Sequence, residues 1–112
     1  MPYSSIEDVK VVRLGLSAED NSCDQEILQF ISQADSMIDE THRELGLTPA
    51  TTSPELLRRI SADIAADLYL IWNSRENSVR ESLWREIREI LGELRQSLIS
   101  REAGGATLTG GE

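Results

Sequence analysis

Residues 53–72 read SPELLRRISADIAADLYLIW and predict a long helix. Ser53 has a good helix-capping side chain, and Pro54 suits the first turn, where its missing N–H leaves no hydrogen bond unmade. Apolar residues then recur every three or four positions. They are Leu57, Ile60, Ile64, Leu68 and Ile71. Further apolar side chains spread around most of the circumference, which predicts a central helix or one that a partner also covers.

The chain before this segment predicts another long helix, between Ser22 and Gly46. Ser22 and Gln25 have the spacing of a capping box, and Gly46 is placed to end the helix. The predicted core face consists of Ile27, Ile31, Ala34, Ile38, Thr41 and Leu45. The opposite face is anionic and includes Glu26, Asp35, Asp39, Glu40 and Glu44.

A shorter helix is predicted at the N-terminus, over about residues 5–14. Ser5 and Asp8 have capping-box spacing, and Gly15 is suited to a left-handed cap at the other end. Ile6, Val9 and Val12 give this segment an apolar edge. Its β-branched residues are also compatible with a short strand.

The last predicted helix follows a polar loop at residues 73–77 and ends near Arg101. Ser78 and Glu81 again have capping-box spacing. The residues predicted to face the core are Leu83, Ile87, Ile90, Leu91, Leu94 and Leu98. The sequence therefore predicts an all-α fold, a small bundle of four helices in one domain over residues 1–101. The remaining residues, 102–112, are rich in glycine and predict a coreless, extended C-terminal tail.

Composition excludes several classes of function. The chain has 112 residues and a net charge of -9, which argues against a nucleic-acid site built on basic patches. One cysteine cannot form a disulfide within the chain, and no apolar run approaches the roughly 20 residues that span a bilayer. The N-terminus lacks the features of a signal peptide, so we expect an intracellular domain. Ten of the eleven basic residues are arginine, which suits bidentate contacts with carboxylates.

Reactive groups are sparse. The single histidine, His42, is expected at the surface or at the boundary of the core, and Cys23 is expected to be an ordinary residue at a helix start. No motif for a metal, phosphate or other cofactor is present, so we predict neither catalysis nor a bound cofactor.

Candidate interface residues lie on the helix at 53–72 and just beyond it. Asp63 and Asp67 are four residues apart, and Arg59 is spaced to pair with Asp63 within the helix. The two acids form either a solvated strip or a binding site for arginines of a neighbouring subunit, and both interpretations stay open. Arg58 of the same helix is a further candidate.

Aromatic residues supply the second group of candidates. Tyr69 and Trp72 are three residues apart, and Arg75 is close enough to stack on them. Aromatic residues and arginine are enriched at interface hot spots. Packing of Trp72 into the core of its own chain is an equally good interpretation. For Trp84, packing into the core is at least as good an interpretation as a role at an interface.

The segment Ser53–Ala65 resembles the core motif of tailed-phage head–tail connector proteins, the small helical adaptors beneath the portal. The order of the other motifs is similar to theirs. An N-terminal Tyr3-x-x-Ile6-Glu7-Asp8 helix is followed by a long helix with Ala34-Asp35-x-x-Ile38-Asp39, a proline-containing loop, the Arg58-Arg59-Ile60 helix and a final charged helix. The resemblance covers roughly residues 3–100.

This resemblance implies a structural virion protein at the neck, made in the host cytoplasm. It implies a ring of copies, usually twelve, which docks on the portal protein, extends the DNA channel and receives a stopper or tail-completion protein. We expect DNA to pass without sequence-specific binding, along a wall that includes Asp35, Asp39 and Glu40. The tail is expected to be an arm that orders on a partner, by strand addition through Ala106, Thr107, Leu108 and Thr109.

Two other functions are weighed against the adaptor. One is a small helical homodimeric regulatory module that uses the helix at 53–72 as its dimer face. The other is an enzyme or a metal-binding protein, which the scarcity of reactive side chains in the sequence disfavours.

Overall fold

The computed structural model describes residues 2–111, with side chains described as far as Ser100. It contains a short π-type helix, α1 (Asp8–Arg13), and three long helices, α2 (Asp24–Glu44), α3 (Pro54–Asn73) and α4 (Asn77–Gly111). A 3₁₀ turn at Pro49–Thr51 lies between α2 and α3. No strand occurs among residues 2–111. The predicted all-α bundle of four helices is therefore confirmed.

Several predicted helix ends are confirmed in detail. The Ser5 N–H donates to Asp8 Oδ2 at 2.9 Å, and the Asp8 N–H donates to Ser5 Oγ at 3.1 Å, which completes a capping box. Gly15 and Gly46 have φ values of 68° and 72°, the left-handed conformation that favours glycine. At the start of α3, Ser53 Oγ accepts a hydrogen bond from the Leu56 N–H.

The predictions of two other caps are wrong. Ser22 does not cap α2, because its hydroxyl and its N–H both donate to Asp20 Oδ1, and the helix begins two residues later at Asp24. The local turn that Asp20 forms with Ser22 therefore occurs in place of the predicted capping box. Ser78 lies inside α4, which begins at Asn77.

Helix α3 is the centre of the bundle and packs against α1, α2 and α4. Its predicted apolar stripe is buried, and so are the alanines on its other sides. The large hydrophobic residues of α3 that stay exposed are Leu70 and Trp72, near its C-terminal end. Of the two predicted roles, that of a central helix is therefore confirmed, and the surface left for a partner is limited to that end.

Two residues differ from their predicted burial. Val12 was predicted to belong to the apolar edge of α1 but is 67% exposed. His42, expected at the surface or boundary, is fully buried. Its Nδ1 donates to the Ile38 carbonyl at 2.9 Å, and its Nε2 accepts from the Thr52 hydroxyl at 2.7 Å. Both ring nitrogens are thus satisfied, which makes burial of the imidazole tolerable.

The predicted end of the last helix near Arg101 is wrong, because α4 continues to Gly111. The side chains of the predicted C-terminal arm, residues 102–112, lie outside the described part of the chain. The proposed strand-forming residues Ala106, Thr107, Leu108 and Thr109 lie there too, so strand addition stays a prediction. Among the described residues, none of the helices combines the length and the apolar character that crossing a membrane requires.

The Ser53 cap provides a first testable prediction. Replacing Ser53 by alanine leaves the Leu56 N–H without this acceptor, so the free energy of unfolding should fall by about 1 kcal/mol. Urea denaturation followed by circular dichroism measures the change. Ser78→Ala is the matched control, because Ser78 lies within α4 and should change stability by less than about 0.5 kcal/mol. Equal effects of the two substitutions would contradict the assignment of Ser53 as the cap.

Candidate functional site

An acidic groove runs between α3 and α4 and has a volume of about 490 Å³. Five carboxyl groups line it, contributed by Asp63, Asp67, Glu86, Glu89 and Glu93. Its apolar lining consists of Ala66, Leu70 and Ile90. Arg13 of α1 is the one basic residue of its lining. We refer to this feature as the acidic groove.

Asp67 is the buried group of the acidic groove. Its side chain is on the inner surface of α3, the residue is only 6% exposed, and its Oδ2 atom has no hydrogen-bond partner. Burial raises the pKa of Asp67 to about 8, and the hydrogen bond and charge of Glu86 and the charge of Asp63 act in the same direction. The site therefore holds a carboxyl group that lacks a cation partner.

Asp63 lies at the Arg13 end of the acidic groove. Arg13 Nε is 2.6 Å from Asp63 Oδ1, so this aspartate pairs with α1 and not with Arg59 in its own helix. The predicted Arg59–Asp63 ion pair is therefore wrong. Burial raises the pKa of Asp63, and the charges of Arg13 and Arg59 oppose this shift. Arg59 itself is exposed.

An aromatic cluster lies at the C-terminal end of α3. The ring of Trp72 is 5.8 Å from that of Tyr69 and 6.0 Å from that of Phe30, measured between centroids. Trp72 is nevertheless 53% exposed, whereas Tyr69 is half-buried. Arg75 is exposed, and its predicted stacking is not among the ring contacts of the described residues. The cluster therefore offers one large exposed aromatic surface.

Arg58, predicted at an interface, is bound within the chain. Its Nε and Nη2 atoms donate to the two carboxylate oxygens of Asp8 at 2.8 and 2.7 Å. This bidentate pair holds the pKa of Asp8 at about 2. Its guanidinium thus joins α1 to α3; because the Arg58 side chain is still 65% exposed, its place at an interface stays a prediction.

Two of the acids predicted to face a channel bind the N-terminal segment instead. The Tyr3 N–H donates to Asp35 Oδ2 at 3.1 Å, and the Tyr3 hydroxyl donates to Asp39. Ser61 Oγ on α3 also donates to Asp35, at 2.7 Å. Asp35 and Asp39 are therefore half-buried structural residues, because the N-terminal segment crosses α2 at this point. Glu40 stays exposed and pairs with Arg43.

Lys10 is an important residue that the sequence analysis missed. It is the only lysine of the chain and is just 3% exposed. Its Nζ donates to the carbonyl oxygens of Ala18 and Asp20 and to Asp24 Oδ1, at 3.1, 2.9 and 3.0 Å. Lys10 thus fixes the loop between α1 and α2. Only its uniqueness in an arginine-rich chain distinguished it in the sequence.

His42 and Cys23, the reactive side chains singled out in the sequence, both make hydrogen bonds within the fold. His42 uses both nitrogens in the core, and Cys23 Sγ accepts a long hydrogen bond of 3.7 Å from Tyr69. Within the described residues, no group of three or more His, Cys, Asp or Glu side chains is arranged to hold a metal ion. The acidic groove and the exposed end of α3 therefore remain the features suited to binding.

Comparison of the chain with protein-family models, with curated proteins and with solved structures found no significant match.

Proposed function

We propose that this chain is a head–tail connector of a tailed virus. Copies of it form a ring beneath the portal protein, extend the DNA channel and receive a stopper or tail-completion protein. The motif order of residues 3–100 supports this proposal. The single structural observation that carries it is the exposed apolar end of α3 beside a groove with excess negative charge.

That end of α3 has the properties of a protein-binding surface. Trp72 is 53% exposed and Leu70 is 40% exposed, although the apolar stripe of α3 is buried. Leu70 also lines the acidic groove, so the two features adjoin. An exposed tryptophan beside polar groups is typical of interface hot spots.

The overall charge is consistent with a DNA conduit. A net charge of -9 repels phosphates, whereas a basic wall would bind them through release of counterions. Asp35 and Asp39 bind Tyr3, so the acids that line the channel must include others. We retain Glu40 as one of them, because it lies exposed on α2.

The dimeric regulatory module receives less support. That hypothesis required α3 to present a continuous apolar face to a second copy. Helices α2 and α4 cover most of that face within one chain, and the exposed part is confined to Leu70 and Trp72.

Co-purification with the portal protein of the same virus tests the proposal. We expect the parent chain to form a ring-shaped complex with the portal, visible in electron micrographs. Trp72→Ser should raise the dissociation constant of this complex by about tenfold or more, as expected when a hot-spot residue is removed. The control is Leu28→Ser, which removes a 47% exposed leucine from α2 and should have little effect. Absence of any complex between parent chain and portal would contradict the proposed function.

A further inference from the structure

Two opposite sides of α4 carry complementary groups. An α-helix turns by about 100° per residue, so side chains four residues apart form a stripe. Arg80, Trp84 and Arg88 form one such stripe, and all three are exposed. Glu86, Glu89 and Glu93 lie on roughly the opposite side, where they line the acidic groove. We refer to the first set as the arginine stripe.

The two sets do not neutralise each other within one chain. The core-facing residues Ile87 and Leu94 lie between them on the helix. Neither Arg80 nor Arg88 has a carboxylate within 4 Å among the described side chains. The acidic groove has five carboxyl groups and one arginine, and the buried Asp67 Oδ2 in its lining has no partner. Each surface therefore lacks the charge that the other carries.

We propose that the acidic groove receives an arginine side chain from the arginine stripe of a second copy of this chain. This inference rests on the proposed function and deepens it by naming the contact between copies. The contact joins two different surfaces, so it repeats head to tail and closes into a ring when the rotation permits. A two-fold dimer would instead use one surface twice.

The chemistry of the acidic groove suits a guanidinium. Its planar fork donates to carboxylates in pairs, and the aliphatic stem of arginine can lie against apolar side chains. The groove offers both partners, because carboxyl groups and the apolar side chains of Ala66, Leu70 and Ile90 all line it. Its carboxylates are not arranged as a metal site.

Proton release provides an independent signature of this contact. The charged groups that face Asp67 are Asp63 and Glu86, with Arg13 at the edge of the groove. A guanidinium beside Asp67 favours its ionised form and lowers its pKa. Association should therefore release a proton and become stronger as the pH rises from about 6 to about 9.

The test uses two variants, each altered on one surface. The stripe variant carries Arg80→Glu and Arg88→Glu. The groove variant carries Asp67→Asn, Glu89→Gln and Glu93→Gln. A control with Glu7→Gln and Glu19→Gln removes two exposed acids away from both surfaces. Sedimentation velocity at low salt measures the mass of each protein and of a mixture of the stripe and groove variants.

We expect the parent and the control to form species larger than dimers, and each altered variant to stay monomeric. The mixture should form a heterodimer of one stripe-variant chain and one groove-variant chain, and nothing larger. Only the contact between the intact groove of the first and the intact arginine stripe of the second remains. The inference is overturned if either variant assembles like the parent, if the mixture stays monomeric, or if the parent is monomeric up to about 1 mM. If both variants assemble like the parent while the parent binds the portal, the inference fails and the proposed function stands. Head-to-tail assembly of the parent without portal binding would contradict the proposed function and leave the inference intact.

Discussion

Replacing Lys10 by methionine is expected to lower the free energy of unfolding by about 3 kcal/mol or more. Methionine keeps most of the apolar stem but lacks the ammonium group. The carbonyl oxygens of Ala18 and Asp20 would lose their donor, and Asp24 would lose its ion-pair partner. Because these acceptors lie in the loop before α2 and at its start, the attachment of α1 to α2 should loosen as well.

Chemical denaturation followed by far-ultraviolet circular dichroism measures this effect. The matched control is Arg43→Met, which removes a cation from an exposed pair with Glu40. Exposed pairs contribute about 1 kcal/mol or less, so the control should unfold close to the parent. An unchanged denaturation midpoint in Lys10→Met would show that the buried ammonium does not hold the loop.

Replacing Asp67 by asparagine should have opposite effects on folding and on assembly. The pKa of Asp67 is raised to about 8 in the folded chain, from 3.8 when it is unperturbed. A carboxyl group whose pKa is raised by folding stabilises the folded state fully at pH values below its unperturbed pKa. This stabilisation is lost as the pH rises through the pKa of the folded state. Asparagine has no charge to bury, so the variant should exceed the parent in stability by about 1–3 kcal/mol at pH 8.

The difference between variant and parent should shrink as the pH falls from 8 to 4, because Asp67 becomes protonated in the folded state. Asp8 does not affect this difference, because its lowered pKa of about 2 changes the stability of parent and variant alike as the pH falls below about 5. Urea denaturation at pH 4, 6 and 8 measures the trend. The same substitution should weaken association between copies, because the asparagine cannot pair with a guanidinium as an ion. A variant that is destabilised equally at all three pH values would refute the account of Asp67.

Local spacing explains why much of the fold was predictable. The stripe on α3, the capping box of Ser5 and Asp8, and the glycine at the end of α2 all depend on residues close together in the chain. The predicted cap at Ser22 failed because a neighbouring residue competed for its side chain: the Ser22 hydroxyl donates to Asp20. The π-type winding of α1 leaves no comparable pattern in the sequence.

Long-range partners were not predictable, because spacing along the chain does not define how one helix is rotated against another. Arg58 and Asp8 are 50 residues apart, and their pairing depends on how α1 crosses α3. Asp67 was predictable as a candidate but Glu86 was not, since a glutamate that lines a groove has the same helical spacing as one in solvent. The burial of Lys10 depends on a loop that folds back over it.

The mass of the intact parent chain, measured by native mass spectrometry over a range of concentrations, tests the central claim most directly. The account predicts a closed ring with one preferred copy number, formed from units of 12.5 kDa by a head-to-tail contact. A stable two-chain species, or a monomer at every concentration tested, would contradict it.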